Sequence, residues 1–495
     1  MKLVILLGLL VASAYSAKIE PDCSGEYLTF TPPPIGTLTE IYPDSTNRGD
    51  VVLFPANYRC NIGVTVPVGM WAKVVMFVAT TGPVGNNAPI GVTDSLSRSE
   101  SVFASNMEPF YFLSSGGNVT INSAQTNMSF VMEMHWFKYP TTFTPSNIFL
   151  HATDSTPKVL NPCKNTTPYL VLAESRVSTV VIPPTSSANL YQLRGIVFYS
   201  GPNWNRTYLG NAKQAWESGK ALETEGNYLT VQFLSQADCS DVHILFQETD
   251  NTEPIYGYQG VACSSQSTAD CQGVLQTTNG MSAMSTYFQG YGYETVTNLT
   301  GNGTLDVYIG GITKDQRNLI ATYAVGQSDL RLPQALNGFV RTYVLRGNNT
   351  KAVISFTLDS RNSVYRPIHF EGFITSNHYM ETPTAQWAEA RVEAPRDVAN
   401  AAFLFSIKTA DMTKNSQLNI TIFESPNRAT YQKTYTATSL PDLHELIRIT
   451  GKTMIVEFDT NGQNSEGLYI DYQVVQSSSS ICIAFSILLT MLVVL

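Results

Sequence analysis

A chain of 495 residues with Lys+Arg 30 against Asp+Glu 39 has a net charge of -9 and no run of basic residues, which excludes nucleic acid and anionic lipid headgroups as favoured partners. Charged types make up only 14%, against 43% hydrophobic and 11% aromatic, which excludes general disorder and suits β-rich extracellular domains. At roughly 100 to 150 residues per domain, the length predicts three or four domains rather than one core.

Taken from its start, the chain offers Lys2, an apolar run Leu3 to Val11, and small residues at Ala14-Tyr15-Ser16. This is the pattern of an export signal over 1–17, and it predicts an oxidising compartment. Short alternating runs follow, separated by Gly, Pro, Asn and Ser turns. Phe130, Met132, Met134 and Trp136 alternate with Val131, Glu133 and His135. Leu229, Val231 and Phe233 alternate with Thr230 and Gln232. Leu305, Val307 and Ile309 repeat the pattern, as do Ala352, Ile354, Phe356 and Leu358. Each reads as a half-buried strand. Asn211 to Glu217 is the one stretch that predicts a helix.

A glycine before an alternating strand, then a turn and a closing strand, recurs four times. The pairs are Gly117 to Ile121 with Ser129 to Trp136, Gly226 to Phe233 with Val242 to Phe246, Gly338 to Leu345 with Lys351 to Leu358, and Gly451 to Phe458 with Gly467 to Val475. The expected fold class is therefore all-β, a tandem of antiparallel β-sandwich modules of jelly-roll type. Expected boundaries are 18–152, 153–272, 273–365 and 366–476, with a hydrophobic tail over 477–495.

Sequons stand at Asn118, Asn127, Asn165, Asn205, Asn298, Asn302, Asn348 and Asn419. Strand alternation turns Asn118 and Asn419 away from Val119 and Ile121 and from Leu418, Ile420 and Ile422, so glycans there would face solvent. After Ser477 to Ser480 the chain ends in an uncharged run from Ile481 to Leu495. As a helix this run reaches about 22 Å, short of the roughly 30 Å hydrocarbon core, so a cleaved GPI signal with attachment within Ser477, Ser478 and Ser479 fits better than a span. Cys482 would leave with that tail. The remaining Cys23, Cys60, Cys163, Cys239, Cys263 and Cys271 favour disulfides, and proximity along the chain guides the pairing Cys23 with Cys60, Cys163 with Cys239, and Cys263 with Cys271.

No paired CxxC or HxxxH spacing supports a metal, and no nucleophile elbow, zinc helix or phosphate loop appears in the sequence. The histidines at 135, 151, 243, 369, 378 and 444 do not pair at metal spacing, and Glu223 with Glu225 reads as a solvated turn. The expectation is no enzyme, no catalytic residue, no metal and no cofactor. Tyr256-Gly257-Tyr258 and Phe288-Gln289-Gly290-Tyr291-Gly292-Tyr293 could present rings to a sugar or protein, with packing under turns as the alternative.

The stretch from Gly372-Phe373-Ile374-Thr375-Ser376 through Tyr379, Ala394-Pro395, Phe403 to Ile407, Phe458-Asp459-Thr460 and Gly467 to Tyr472 resembles a CUB sandwich without its cysteines. Cys23, Tyr27 to Pro34, Phe54 to Cys60 and Val66 to Val74 resemble more specifically the nematode CUB-like family, over about the first 130 residues. That resemblance implies a secreted or surface-bound epithelial protein, often induced by infection and without known enzymatic activity. Many CUB domains hold calcium with a Glu and two Asp. Here only Asp459, with Asn461, and a distant Asp411 are at hand, so calcium is not expected. The expected function is an extracellular defence glycoprotein at a cell surface that binds an extracellular protein or glycan, with a structural coat protein or a lectin as alternatives. Its expected membrane contact is the GPI anchor.

Overall fold

The computed structural model describes Cys23 and residues 27–476, apart from 35–37, 45–49, 83–86, 155–157, 163–166, 235–240, 265–270, 290–292, 315, 317, 339, 358–362, 381–383 and 399. Cys163, Cys239, Asn165, Leu358, the signal-type segment and the Ser477–Ser479 window lie outside the described residues.

The described chain is mostly strands, arranged in four modules with one topology. In the first, the successive strands are Tyr27–Phe30, Thr39–Tyr42, Arg59–Val66, Met70–Thr80, Ile90–Thr93, Ser99–Val102, Ser105–Phe112, Ser115–Asn122 and Met128–Lys138, with a short extra strand Val52–Phe54 against the last. One sheet is ordered first, third, eighth, fifth, sixth; the other is ordered second, ninth, fourth, seventh. Apart from the fifth and sixth, which form a hairpin, consecutive strands cross between the sheets, so the first strand meets the third in parallel while the other pairs are antiparallel. The second module, Ser146–Phe149 to His243–Glu248, and the fourth, Ser363–Tyr365 to Leu468–Gln476, repeat this order with the same parallel pair. The eighth and ninth strands are the closing pair read from the sequence, and they lie in opposite sheets.

The third module keeps the order but joins its sheets. Its fourth and fifth strands fuse into Tyr293–Ile309, and its eighth and ninth into Val340–Thr357. The two long strands stay paired around a corner, where Asn302 faces Asn348 and Gly303 faces Gly347. Glycine is required there: Gly301 has φ +107°, and a Cβ on Gly303 would stand 1.9 Å from the Arg346 carbonyl oxygen. Membership in this folded sheet corrects an expected boundary. Ile255–Ser264 and Gln272–Thr277 are the first and second strands of the third module, so it begins near 253 rather than at 273. Likewise Ser146–Phe149 opens the second module before 153, and Ser363–Tyr365 pairs with Arg391–Glu393 and opens the fourth before 366.

Cys23 is joined to Cys60, and Cys263 to Cys271. The first bond ties Cys23, ahead of the first strand, to the third strand across a separation of 37 residues. A Cys60→Ser variant is expected to lose about 3 kcal/mol through the freer unfolded chain, read as a lower urea midpoint for the first module.

Strand alternation holds where one face meets solvent. Val119 and Ile121 are buried while Asn118 and Thr120 are exposed, and Leu418, Ile420 and Ile422 are buried beneath a partly exposed Asn419. It fails in the second module, where Val177–Ile182 and His243–Glu248 are buried at every position. Val180 and Leu245 face away from their own core and pack with Tyr258, Tyr308 and Val344 of the third module. On the opposite sheet, Val197 and Tyr199 pack with Tyr111, Leu113 and Tyr139 of the first module and its exit. Thr230 and Gln232, expected at a surface, are buried there too.

The predicted helix exists as Ala212–Glu217. Asn211 accepts from the Gln214 amide, and the Gln214 side chain accepts from the Asn211 amide, closing a capping box. Gln214 also donates to Asp94 of the first module at 2.7 Å, so the cap doubles as an inter-module contact.

Candidate functional site

The third and fourth modules are bonded edge to edge. Gln334 donates to the Phe373 carbonyl oxygen at 3.0 Å and accepts from its amide at 3.3 Å, and Asn337 donates to the Thr375 carbonyl oxygen at 3.0 Å. Phe373 enters the core of the third module and stacks on Tyr469, ring centroids 5.4 Å apart. Beside this seam lies a cleft of about 310 Å³. Its floor is the outer face of the smaller sheet of the fourth module: Leu404, Ser406 and Lys408 on Ala401–Ala410, and Tyr469, Asp471 and Gln473 on Leu468–Gln476, with Ser406 opposite Asp471. Tyr323 and Arg331 of the third module form the far wall.

The charges of the cleft are matched within it. Lys408 stands 3.7 Å from Asp471, and Arg331 stands 4.0 Å from Glu371 with its guanidinium over the Tyr323 ring. Gln473 donates to Glu371 at 3.3 Å. Ser406 differs from these: it is buried, and its hydroxyl has no hydrogen-bond partner. Burial raises the phenols of Tyr469 and Tyr323, and neighbouring Asp471 adds to the effect on Tyr469, so both remain neutral donors at physiological pH. Matched ions and phenols form a surface for an uncharged polar ligand. At the rim, Leu446 is 65% exposed, and Leu440 and Leu443 of the same connection are exposed with it.

The sequence singled out none of the cleft's polar residues as ligand groups. Nothing in a single strand marks them, because the site arises where two modules meet. The sites that the sequence did single out lie elsewhere. Tyr256-Gly257-Tyr258 is part of the strand Ile255–Ser264 and not a loop. Tyr258 is buried, with its hydroxyl near Gln247, Ser285 and Thr342, while Tyr256 is 77% exposed. Phe288 is buried on the strand Met281–Gln289, and 290–292 lie outside the described residues. His135 faces outward beside Glu133, His151 meets Glu174 at 2.7 Å on the surface, and His243 is buried against the Tyr287 ring. Glu223 pairs with Arg176 at 3.5 Å. Asp459 accepts from the Asn461 amide, and Asp411 from that of Glu466. Among the described residues no three His, Cys, Asp or Glu side chains gather as a metal group. The sequons at Asn118, Asn127, Asn205, Asn298, Asn302 and Asn348 are exposed.

Residues 18–140 match the family described as CUB-like domain. The first module is a CUB-like domain. Residues 149–234 and 250–359 match two families described as Domain of unknown function (DUF7592) and Domain of unknown function (DUF7591). The modules that hold them repeat the strand order of the CUB-like module. No curated protein matches the chain. Among solved structures, the CUB1-EGF-CUB2 domain of human MASP-1/3 aligns at 11% identity over 42% of this chain and 100% of that one, with a TM-score of 0.17. The full extracellular region of zebrafish Gpr126/Adgrg6 aligns at 12% over 92% of this chain and 53% of that one, with a TM-score of 0.19. Overlap at these scores carries no weight for function. CUB-like domains are generally non-enzymatic binding modules of extracellular proteins, and among the described residues no helix is long and apolar enough to cross a membrane.

Proposed function

We propose that this protein is a non-enzymatic cell-surface glycoprotein that binds a neutral glycan in the cleft between its third and fourth modules. The observation that carries the reading is a cleft of about 310 Å³ at the module seam whose ionic groups are already matched. A sugar offers hydroxyls to the polar lining without bringing charge into the cleft. The exposed Leu440, Leu443 and Leu446 favour a second reading, in which a protein partner covers the rim.

The setting belongs to the same proposal. Export, N-glycans on the exposed sequons, a GPI anchor within Ser477–Ser479 and a defence role on an epithelium are supported by the termini and by the resemblance of the amino-terminal module. A phosphatidylinositol-specific phospholipase is expected to release the protein from intact cells, and loss of the protein to lower survival on a pathogen. The ligand reading is tested on a glycan array with the soluble chain ending at Gln476. Retention by wild type and at least a tenfold loss in Ser406→Val and Tyr469→Ala are expected, roughly the effect of one or two lost polar contacts. Equal retention of all three chains, or none by wild type, would rule out the glycan site.

A further inference from the structure

Behind the same seam, on the side away from the cleft floor, Arg366 follows the strand Ser363–Tyr365 and donates its amide to the Glu393 carbonyl oxygen at 2.9 Å. It is only 5% exposed. Its guanidinium lies 4.2 Å over the Phe370 ring and against the Tyr472 hydroxyl, and its Nε–H has no acceptor. Buried arginines are ordinarily paired with a carboxylate, since an uncompensated charge in the interior costs several kcal/mol. Among the described residues none stands within ion-pair distance of this one. Arg391, which is exposed, takes the Glu393 carboxylate at 2.8 Å. Desolvation lowers the Arg366 pKa, opposed by the Tyr472 hydroxyl, yet a guanidinium keeps its proton at physiological pH. Among the described residues, one ring face and the Tyr472 and Tyr323 phenols are what offset this positive charge inside the junction.

Arg366 lines a small cavity of about 40 Å³, together with Arg391, Tyr472, Asn337 and Gln334. On the same measure a water needs roughly 10 to 15 Å³, so the space takes one ion larger than water but not a tetrahedral dianion with its shell of donors. Both arginines lend the cavity positive potential, and Arg366 alone holds its charge out of solvent. We propose that this cavity is a binding site for a small monovalent inorganic anion of chloride size, which neutralises Arg366 and fastens the fourth module to the third. A water would leave the charge uncompensated, and it is the competing occupant.

The site is tested on the full ectodomain. In crystals grown with sodium bromide, an anomalous peak inside the cavity lined by Arg366 and Arg391 is expected. The melting midpoint in chloride or bromide is expected about 5 °C above that in gluconate at equal ionic strength, saturating with halide, and this difference should vanish in Arg366→Met. Arg391→Gln, a surface change that leaves the fold alone, should weaken the halide dependence severalfold. No anomalous peak, a melting midpoint indifferent to anion identity, or the same halide increment in Arg366→Met would each overturn the site and leave water as its occupant.

Discussion

Replacing Arg194 by alanine is expected to uncouple the first two modules and to destabilise the protein by about 2 kcal/mol. Arg194 belongs to the turn Ser187–Gly195 of the second module, and its side chain is 7% exposed. It reaches into the first module, where Nε and Nη2 donate to the two Glu100 oxygens at 3.0 and 2.6 Å and Nη1 donates to Glu108 at 3.0 Å. The guanidinium stacks 3.8 Å from the Phe110 centroid. Removing one member of a fully buried ion pair costs roughly 3 to 5 kcal/mol. Glu100 and Glu108 retain 26% and 34% exposure and Lys213 still holds Glu100 at 3.1 Å, so the smaller figure applies. Arg194→Lys should recover little, because an ammonium cannot bond both Glu100 oxygens and stack at once.

The clamp also sets an acid limit. Burial would raise the Glu100 carboxyl, but its bonds to Arg194 and the charges of Arg194 and Lys213 outweigh burial and hold it below its ordinary value of 4.5. A carboxyl depressed in the folded state contributes stability that is complete above its unfolded pKa and is lost as pH falls through the folded one. Melting scans from pH 7 down to about pH 3 should therefore show the module junction weakening in acid, with a smaller pH dependence in Arg194→Ala. Small-angle scattering that is unchanged by Arg194→Ala at neutral pH would show that the aromatic contacts hold the junction alone. Those contacts are considerable: Tyr139 stacks on Trp204 with centroids 4.5 Å apart and shares a 2.7 Å bond with the Tyr199 hydroxyl. Burial pushes the Tyr139 phenol up to about 12, despite that bond, so it stays neutral across the scan.

Gly301→Val is expected to cost the third module roughly 3 kcal/mol. At φ +107° a branched side chain is strained, and its Cβ would stand 2.1 Å from the Asn349 carbonyl oxygen and 2.7 Å from the Thr350 Cα, both in the paired strand of the corner. No rotamer relieves a clash between backbones. Gly326→Ala supplies the control, since Gly326 has φ +76° and nothing within 4 Å of a Cβ, so it tests backbone strain without a clash and should cost about 1 kcal/mol. Urea unfolding with limited proteolysis reads both. Equal losses in the two variants would mean that the corner tolerates a side chain and that the sheets are not held by that close approach.

Much of the fold was legible because a strand exposed on one face writes its burial as alternation. Met128–Lys138 and Gln417–Ser425 do so, and their strands and outward sequons could be read directly. The recurring glycine and closing strands marked four units because every module ends in its eighth and ninth strands. The second-to-third boundary was misread because the third module's first two strands precede the glycine that marks its closing pair.

The sequence by itself determined an all-β chain, the number of its modules, the capped helix and the separation of apolar from sequon-bearing strand faces, since each depends on neighbours a few residues apart. The order of strands within each sheet, the corner that fuses the third module, the Arg194 clamp, the cleft around Ser406 and the uncompensated Arg366 were decided by the tertiary structure. Each is a meeting of residues from different strands or modules, and period-two patterning states which way a side chain points without stating what it will face.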